Sequence, residues 1–350
     1  MAGREVSSLR ASLSAFEQTF DSSAYIDSVR QHDLAENTHR AYSGDYRHFV
    51  SWCDRAGLSP GEVSETTLLL YLTYWGSPDT HRSCERCIRL AALRTVAGDK
   101  SLKVSTLQRR LSGIRATLRS LGTPGVTSPD HDVLAATLNH LRREQEYRPR
   151  KAQAISERLI VQMANACAQD RKGLRDRALL LTGYLGGLRR SEIVGLDLAD
   201  VGFLPEGVRL LIRNSKTDRS REGQTVHIPL TRHAGTCATR TLRHWIEVRG
   251  DGSGPLFQSM HRGGVLRDTR PAPVLVDRLV KQYAAQVGEA SDLYSAHSLR
   301  SGFATSAARA SAPVSAIKDQ TRHRSLVSLE RYIHEGRAFE DSAVHFLKTL

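Results

Sequence analysis

The chain has 350 residues, of which 40% are hydrophobic and 25% charged. This composition is globular rather than disordered or fibrous, and the length allows two domains. The densest apolar run, Ala178 to Leu181, is far too short to span a bilayer, and Met1 to Phe20 carries no signal-peptide-like apolar block; a cytoplasmic protein without membrane association is expected. Fifty Lys and Arg against 37 Asp and Glu leave a net charge of +13, which favours a polyanionic partner, nucleic acid first, bound in a salt-dependent way.

In chain order, residues 1–20 are expected to be a flexible segment and residues 21–143 a domain of four to five helices. From Asn37 to Ala56, Tyr42, Tyr46, Phe49, Val50 and Cys53 recur with helical period, with Asn37 or Thr38 at the cap. A second helix covers Ser64 to Trp75, and Gly76-Ser77-Pro78-Asp79 breaks the chain after it. The stretch up to Asp99 is read as part helix. Its Cys84-x-x-Cys87 with His81 upstream lacks a fourth ligand and a second pair, so no metal is expected. The five cysteines are scattered and are expected to be reduced thiols.

The clearest helix runs from Val104 to Leu121. Leu107, Leu111, Ile114, Leu118 and Leu121 make an apolar stripe beside a polar row of Gln108, Ser112, Arg115 and Arg119. Between Arg82 and Arg119 ten basic residues face only Glu85 and Asp99, so Lys103, Arg109, Arg110, Arg115 and Arg119 are expected to contact DNA. A fourth helix follows, from Ser128 or Pro129 to Arg143. Residues 144–154 are read as an interdomain linker, broken by Pro149, and with the residues just before them they form a basic strap for phosphates: Arg142, Arg143, Arg148, Arg150 and Lys151.

Residues 155–350 mix element types. Helices are predicted over Ser156 to Ala168, Leu174 to Tyr184, Cys237 to Val248, Pro273 to Val287 and Ser298 to Ala310. Val208 to Arg213 and Thr225 to Leu230 read as two strands joined by a polar hairpin loop, Asn214 to Gln224. The fold class is therefore mainly α with a small β-sheet: a helical domain followed by an α+β domain. Neither a nucleotide-binding P-loop motif nor a dense carboxylate cluster is present, so a DNA enzyme built from this chain must stabilise phosphate charge with cationic side chains, without a cofactor.

Those side chains fall in a specific order. Arg189 follows a glycine corner in Gly187-Leu188-Arg189-Arg190-Ser191-Glu192-Ile193, Lys216 sits on the hairpin loop, His297 and Arg300 are three apart, and His323 precedes Tyr332 by nine. In this order the chain resembles the tyrosine recombinase (phage integrase) family over nearly its whole length, including Asn37-Thr38-His39-Arg40-Ala41-Tyr42 in the helical half. The resemblance implies a C-shaped clamp on double-stranded DNA, with a core-binding domain and a catalytic domain. It implies Tyr332 as nucleophile, Arg189 and Arg300 on the phosphate, Lys216 as the acid for the leaving 5′ oxygen, and His297 as the candidate for the phenolic proton, with His323 as donor to the phosphate or an alternative partner. Glu192 is the supporting acidic residue. It further implies a covalent 3′-phosphotyrosyl intermediate, a homo-tetramer exchanging strands through a Holliday junction, and inverted-repeat core sites, with the free protein as a monomer and a nucleoid association in a bacterial host.

Two departures stand out: Arg322 replaces the common glycine before His323, and residues 77–102 contain an apparent insertion. Arg190 is the competing choice for the first arginine. The segment after Tyr332, with apolar points at Phe339, Ala343 and Phe346, is expected to be a tail helix, packed either on its own domain or on a neighbouring protomer. A type IB topoisomerase-like nicking and closing enzyme, or a DNA-binding accessory protein without catalysis, are the other readings.

Overall fold

The computed structural model describes residues 36–59, 63–77, 85–121, 132–145, 152–213, 223–250, 252–261 and 263–347. The chain divides into two compact units on either side of the Pro149–Arg150 bond. Among the described residues, no helix is long and apolar enough to cross a membrane.

The first unit is helical: α1 (Glu36–Ala56), α2 (Glu65–Gly76), α3 (Glu85–Val96), α4 (Val104–Ser120) and α5 (Asp132–Glu144). Helix α1 extends through Asn37 and Thr38, so neither caps it. Ser64 caps α2, its hydroxyl accepting from the Thr67 amide at 3.2 Å. Four members of the stripe, Leu107, Leu111, Ile114 and Leu118, are buried as their period predicts, with Leu107 and Ile114 fully enclosed against Phe49, Tyr71, Leu72 and Leu141, and Leu121, just past α4, is partly buried. Gln145 closes the unit: its side chain donates to the carbonyls of Gly76 (2.7 Å) and Leu102 (2.8 Å) and accepts from the Val104 amide (3.1 Å).

The second unit comprises α6 (Glu157–Asn165), α7 (Arg171–Leu185), α8 (Arg190–Gly195), β1 (Val201–Leu204), β2 (Gly207–Ile212), β3 (Gln224–Pro229), α9 (Ala238–Arg249), α10 (Val274–Gln286), α11 (Ala296–Arg309), α12 (Val314–Thr321) and α13 (Leu326–Arg337). The two predicted strands pair antiparallel, with Val208 opposite Ile228 and Leu210 opposite Val226. Their apolar sides face the core while Arg209, Leu211 and His227 face out. The structure adds an edge strand, β1, pairing Val201 with Leu210.

Ala178 to Leu181, the densest apolar run, lies in α7 at the centre of this unit with at most 2% exposure. Asp176 on the same helix is fully buried and is held by Arg175 (2.7 Å), Lys172 (3.1 Å) and the Tyr283 hydroxyl (3.0 Å), as a buried carboxylate requires. Helices α11 and α13 approach closely at Gly336, where a Cβ would lie 2.5 Å from the Thr305 carbonyl oxygen.

The tail departs from expectation. Instead of an α-helix, the described residues form one 3₁₀ turn, Ala343–Phe346. Phe339 is 92% exposed and Leu347 55%, so these two apolar side chains are not packed on their own domain, and a short segment with little packing does not sustain a helix.

Candidate active site

The site begins at the glycine corner after α7. Gly187 has φ +55, the left-handed region that glycine enters at no steric cost, and this turn separates two adjacent arginines. Arg189 points inward, its Nη1 donating to Glu192 Oε1 at 2.7 Å while its backbone amide donates to Oε2 at 2.8 Å. Arg190 points outward to Asp277 at 2.8 Å. The corner thus selects Arg189 over Arg190.

Helix α11 brings two predicted residues to the same place. Its first turn is held by Ser298, whose hydroxyl accepts from the Ser295 amide at 3.0 Å, and the three-residue spacing puts His297 and Arg300 on one face. Arg300 is 2% exposed. Its Nη1 donates to the Gly187 carbonyl at 2.7 Å, and its Nη2 is buried with no hydrogen-bond partner among the described residues. Burial first, then the charge of Arg189, pushes its pKa from 12.5 down to about 9, so it remains charged at neutral pH.

Tyr332 lies on α13, 6% exposed, in a small apolar cluster with Ala304, Ala308, Ile317 and Leu329. Its hydroxyl is 2.8 Å from His297 Nε2 and receives a hydrogen bond from Arg331 Nη2 at 3.0 Å. The phenol accepts from Arg331, and its own proton can be donated to His297 Nε2 when that nitrogen carries the lone pair. Burial of the imidazole, then Arg300, Arg331 and Arg189, lowers the His297 pKa below its usual value; one flank of the residue remains exposed. A neutral His297 is the acceptor this geometry requires.

His323 follows a left-handed turn at Arg322, φ +55. Thr321 Oγ1 donates to the Ile317 carbonyl at 2.6 Å and lies 2.6 Å from His323 Nδ1. The threonine has already spent its one proton, so Nδ1–H donates and Nε2 carries the lone pair. Burial, then Arg300 and Arg189, holds His323 down to about 4. Glu192 is 3% exposed. Burial alone would raise its pKa, but Arg322, the Arg189 amide and the Arg189 guanidinium overcome it and lower the net value.

Arg189, Glu192, His297, Arg300, His323 and Tyr332 therefore converge from four separate stretches of the chain. Three guanidiniums, those of Arg189, Arg300 and Arg322, surround the single carboxylate of Glu192. The arrangement leaves excess positive charge and a vacant buried donor beside a phenol whose proton has an acceptor. It can hold an anionic tetrahedral group and direct the phenolic oxygen at it. Reading the sequence missed Arg331, adjacent to Tyr332, and noted Arg322 only as a departure. The available signal for Arg322 was a long cation where glycine is usual.

Lys216 lies outside the described residues, as do Arg148, Arg150 and Lys151; so do His81 and Cys84, while Cys87 lies in α3 with no described side chain. Of the predicted DNA contacts, Lys103, Arg109, Arg119, Arg142 and Arg143 are exposed. Arg115 is partly buried, and burial, then Arg119, lowers its pKa. Arg109 and Arg110 both face buried Asp45, and Arg110 also donates to the Tyr71 hydroxyl at 3.4 Å.

Residues 153–338 match the model of the phage integrase family. An integrase/recombinase XerD homologue from Selenomonas ruminantium is 31% identical over 313 residues, covering 89% of this chain and 85% of that protein. Tyrosine recombinase XerD of Pseudomonas aeruginosa is 28% identical, covering 87% and 89%. Among solved structures, a lambda integrase tetramer bound to a Holliday junction shares the fold with a TM-score of 0.57 and 15% identity, covering 92% of this chain and 79% of that one. The Tn1549 transposon integrase in complex with transposon right-end DNA does so with a TM-score of 0.57 and 16% identity, covering 91% and 97%.

Proposed function

Because the chain belongs to the phage integrase family and is a tyrosine recombinase, we propose that it is a site-specific DNA recombinase that cuts and rejoins strands through Tyr332. The observation that carries this reading is the Tyr332 hydroxyl, held 2.8 Å from His297 Nε2 beside an arginine, Arg300, whose second amino group is buried and unpartnered.

In the proposed step, the scissile phosphate sits between Arg189 and Arg300, which donate to its nonbridging oxygens. Tyr332 Oη attacks phosphorus as its proton passes to His297 Nε2, and the bond from phosphorus to the 5′ oxygen breaks. Lys216 protonates that oxygen, so a free 5′-hydroxyl leaves and a 3′-phosphotyrosyl ester remains. A free phenol is mostly protonated at neutral pH, with a pKa near ~10, so transfer to an acceptor makes attack feasible. A 5′-hydroxyl from another strand reverses the step, returning the proton to the phenol. The ester conserves the broken bond, and no nucleotide hydrolysis is needed.

Glu192 orients Arg189, and His323, its ring centre 5.9 Å from that of Tyr332 with the lone pair on Nε2, is the alternative acceptor for the phenolic proton. Lys103, Arg109, Arg110, Arg115, Arg119, Arg142, Arg143, Arg148, Arg150 and Lys151 are proposed to hold the duplex, contributing affinity rather than sequence choice. Four protomers on two inverted-repeat core sites would exchange strands in two steps through a Holliday junction. Incubation with two sites tests this: joint molecules are expected, whereas relaxation of supercoils without joint molecules would assign a nicking and closing enzyme instead.

A further inference from the structure

Arg322 occupies a position whose backbone does not call for it. Its φ of +55 suits glycine and strains a side-chain-bearing residue. The side chain is nevertheless only 4% exposed, with Nη2 donating to Glu192 Oε2 at 2.7 Å and Nη1 to the carbonyls of Gln320 (2.8 Å) and Gly186 (3.4 Å). The same Glu192 carboxylate takes the amide and the guanidinium of Arg189. The adjoining carbonyl of the corner, that of Gly187, takes Arg300.

We infer that Arg322 is a positioning residue for strand cleavage, acting through Glu192 to set Arg189 against the phosphate. The inference rests on the recombinase reading above. One buried carboxylate is shared by two guanidiniums, so neither is fully neutralised by it. Without Arg322, Glu192 would turn its whole charge on Arg189 and draw it back from the phosphate, and the Gly186–Gly187 corner would lose one of the two arginines that tie it to α11 and the α12–α13 turn.

Arg322→Gly tests this, because glycine adopts the backbone freely and folding is not penalised on that account. Adduct formation on a nicked suicide DNA duplex is followed in single turnover at saturating protein, alongside the Kd for the intact site. The rate is expected to fall about 10²-fold, the scale of misplacing one reacting group, with Kd unchanged within threefold. Millimolar guanidinium should restore part of the rate to Arg322→Gly, and Arg322→Lys should fall between it and the unmodified chain. Glu192→Gln combined with Arg322→Gly should cost no more than the worse single change, because both cut the same link. A wild-type rate in Arg322→Gly, a parallel loss of binding and rate, or effects that multiply with Glu192→Gln would each overturn the inference. An unmodified chain that forms no adduct would instead bring down the recombinase reading itself.

Discussion

Replacing Arg300 by methionine should separate the stability of this protein from its chemistry. Arg300 is 2% exposed, and its pKa falls from 12.5 to about 9. At ~1.4 kcal/mol per unit, holding that charge costs the folded chain about 4–5 kcal/mol before any phosphate arrives. The folded pKa lies below the unfolded one, so the cost applies at every pH below about 9 and fades as pH climbs toward 12.5. Methionine keeps the stem packed and removes the charge, but strips the Gly187 carbonyl of its donor, a loss of about 1–3 kcal/mol. The net expectation is a gain of about 1–4 kcal/mol, a rise in Tm of roughly 2–4 °C per kcal/mol for a unit of this size, and a difference that narrows above pH 9. Adduct formation should meanwhile fall by ~10²–10³ or more, as for loss of one preorganised donor. Thermal melts at pH 7 and 10, with single-turnover cleavage, measure both. A Tm more than a few degrees below that of the unmodified chain, or cleavage within tenfold of it, would refute the reasoning.

Three further outcomes follow from the geometry. Because His297 titrates below its usual value, the acid limb of cleavage should be centred below about 6.5, and His297→Gln should remove that limb and lower the plateau by ~10²–10⁴; a limb centred above 6.5 would count against His297 as acceptor. Gly336→Ala puts a methyl 2.5 Å from the Thr305 carbonyl oxygen and 2.8 Å from Ala308 Cβ, so urea unfolding should show a loss of about 1–3 kcal/mol, and an unchanged midpoint would deny the close packing of α11 on α13. Lys216→Ala should fail on an ordinary phosphodiester yet cleave a substrate with sulfur at the bridging 5′ position, since a thiolate leaves without a proton; equal failure on both would remove Lys216 as the acid.

Much of the fold was legible because local signals agree with the packing. The α4 stripe and the alternation in β2 each arise within a few residues and need no knowledge of the rest of the chain, whereas the Ser64 cap was found only in the structure. Strand β1 was not legible: Val201-Gly202-Phe203-Leu204 is short, contains a glycine and, among the described residues, pairs with one strand alone. The six candidate positions that the structure brings together are picked out by motif order, and beyond the glycine corner Arg189 points inward and Arg190 outward. What could not be read is who shares a carboxylate with whom. Glu192 and Arg322 are 130 residues apart, and Asp45 and Arg109 are 64 apart; no spacing rule links them, and only tertiary packing makes Arg322 a partner of the site and gives Arg109 and Arg110 a counter-charge.

Whether Tyr332 becomes joined to DNA is decided most directly by trapping. With a nicked duplex whose short 5′-hydroxyl product diffuses away, the unmodified chain should accumulate a protease-sensitive adduct, and peptide mass analysis should find the nucleotide on Tyr332, while Tyr332→Phe binds the same duplex and traps nothing. Tight binding with no adduct, or an adduct on any other side chain, would mean that the phenol beside His297 is not the group that attacks.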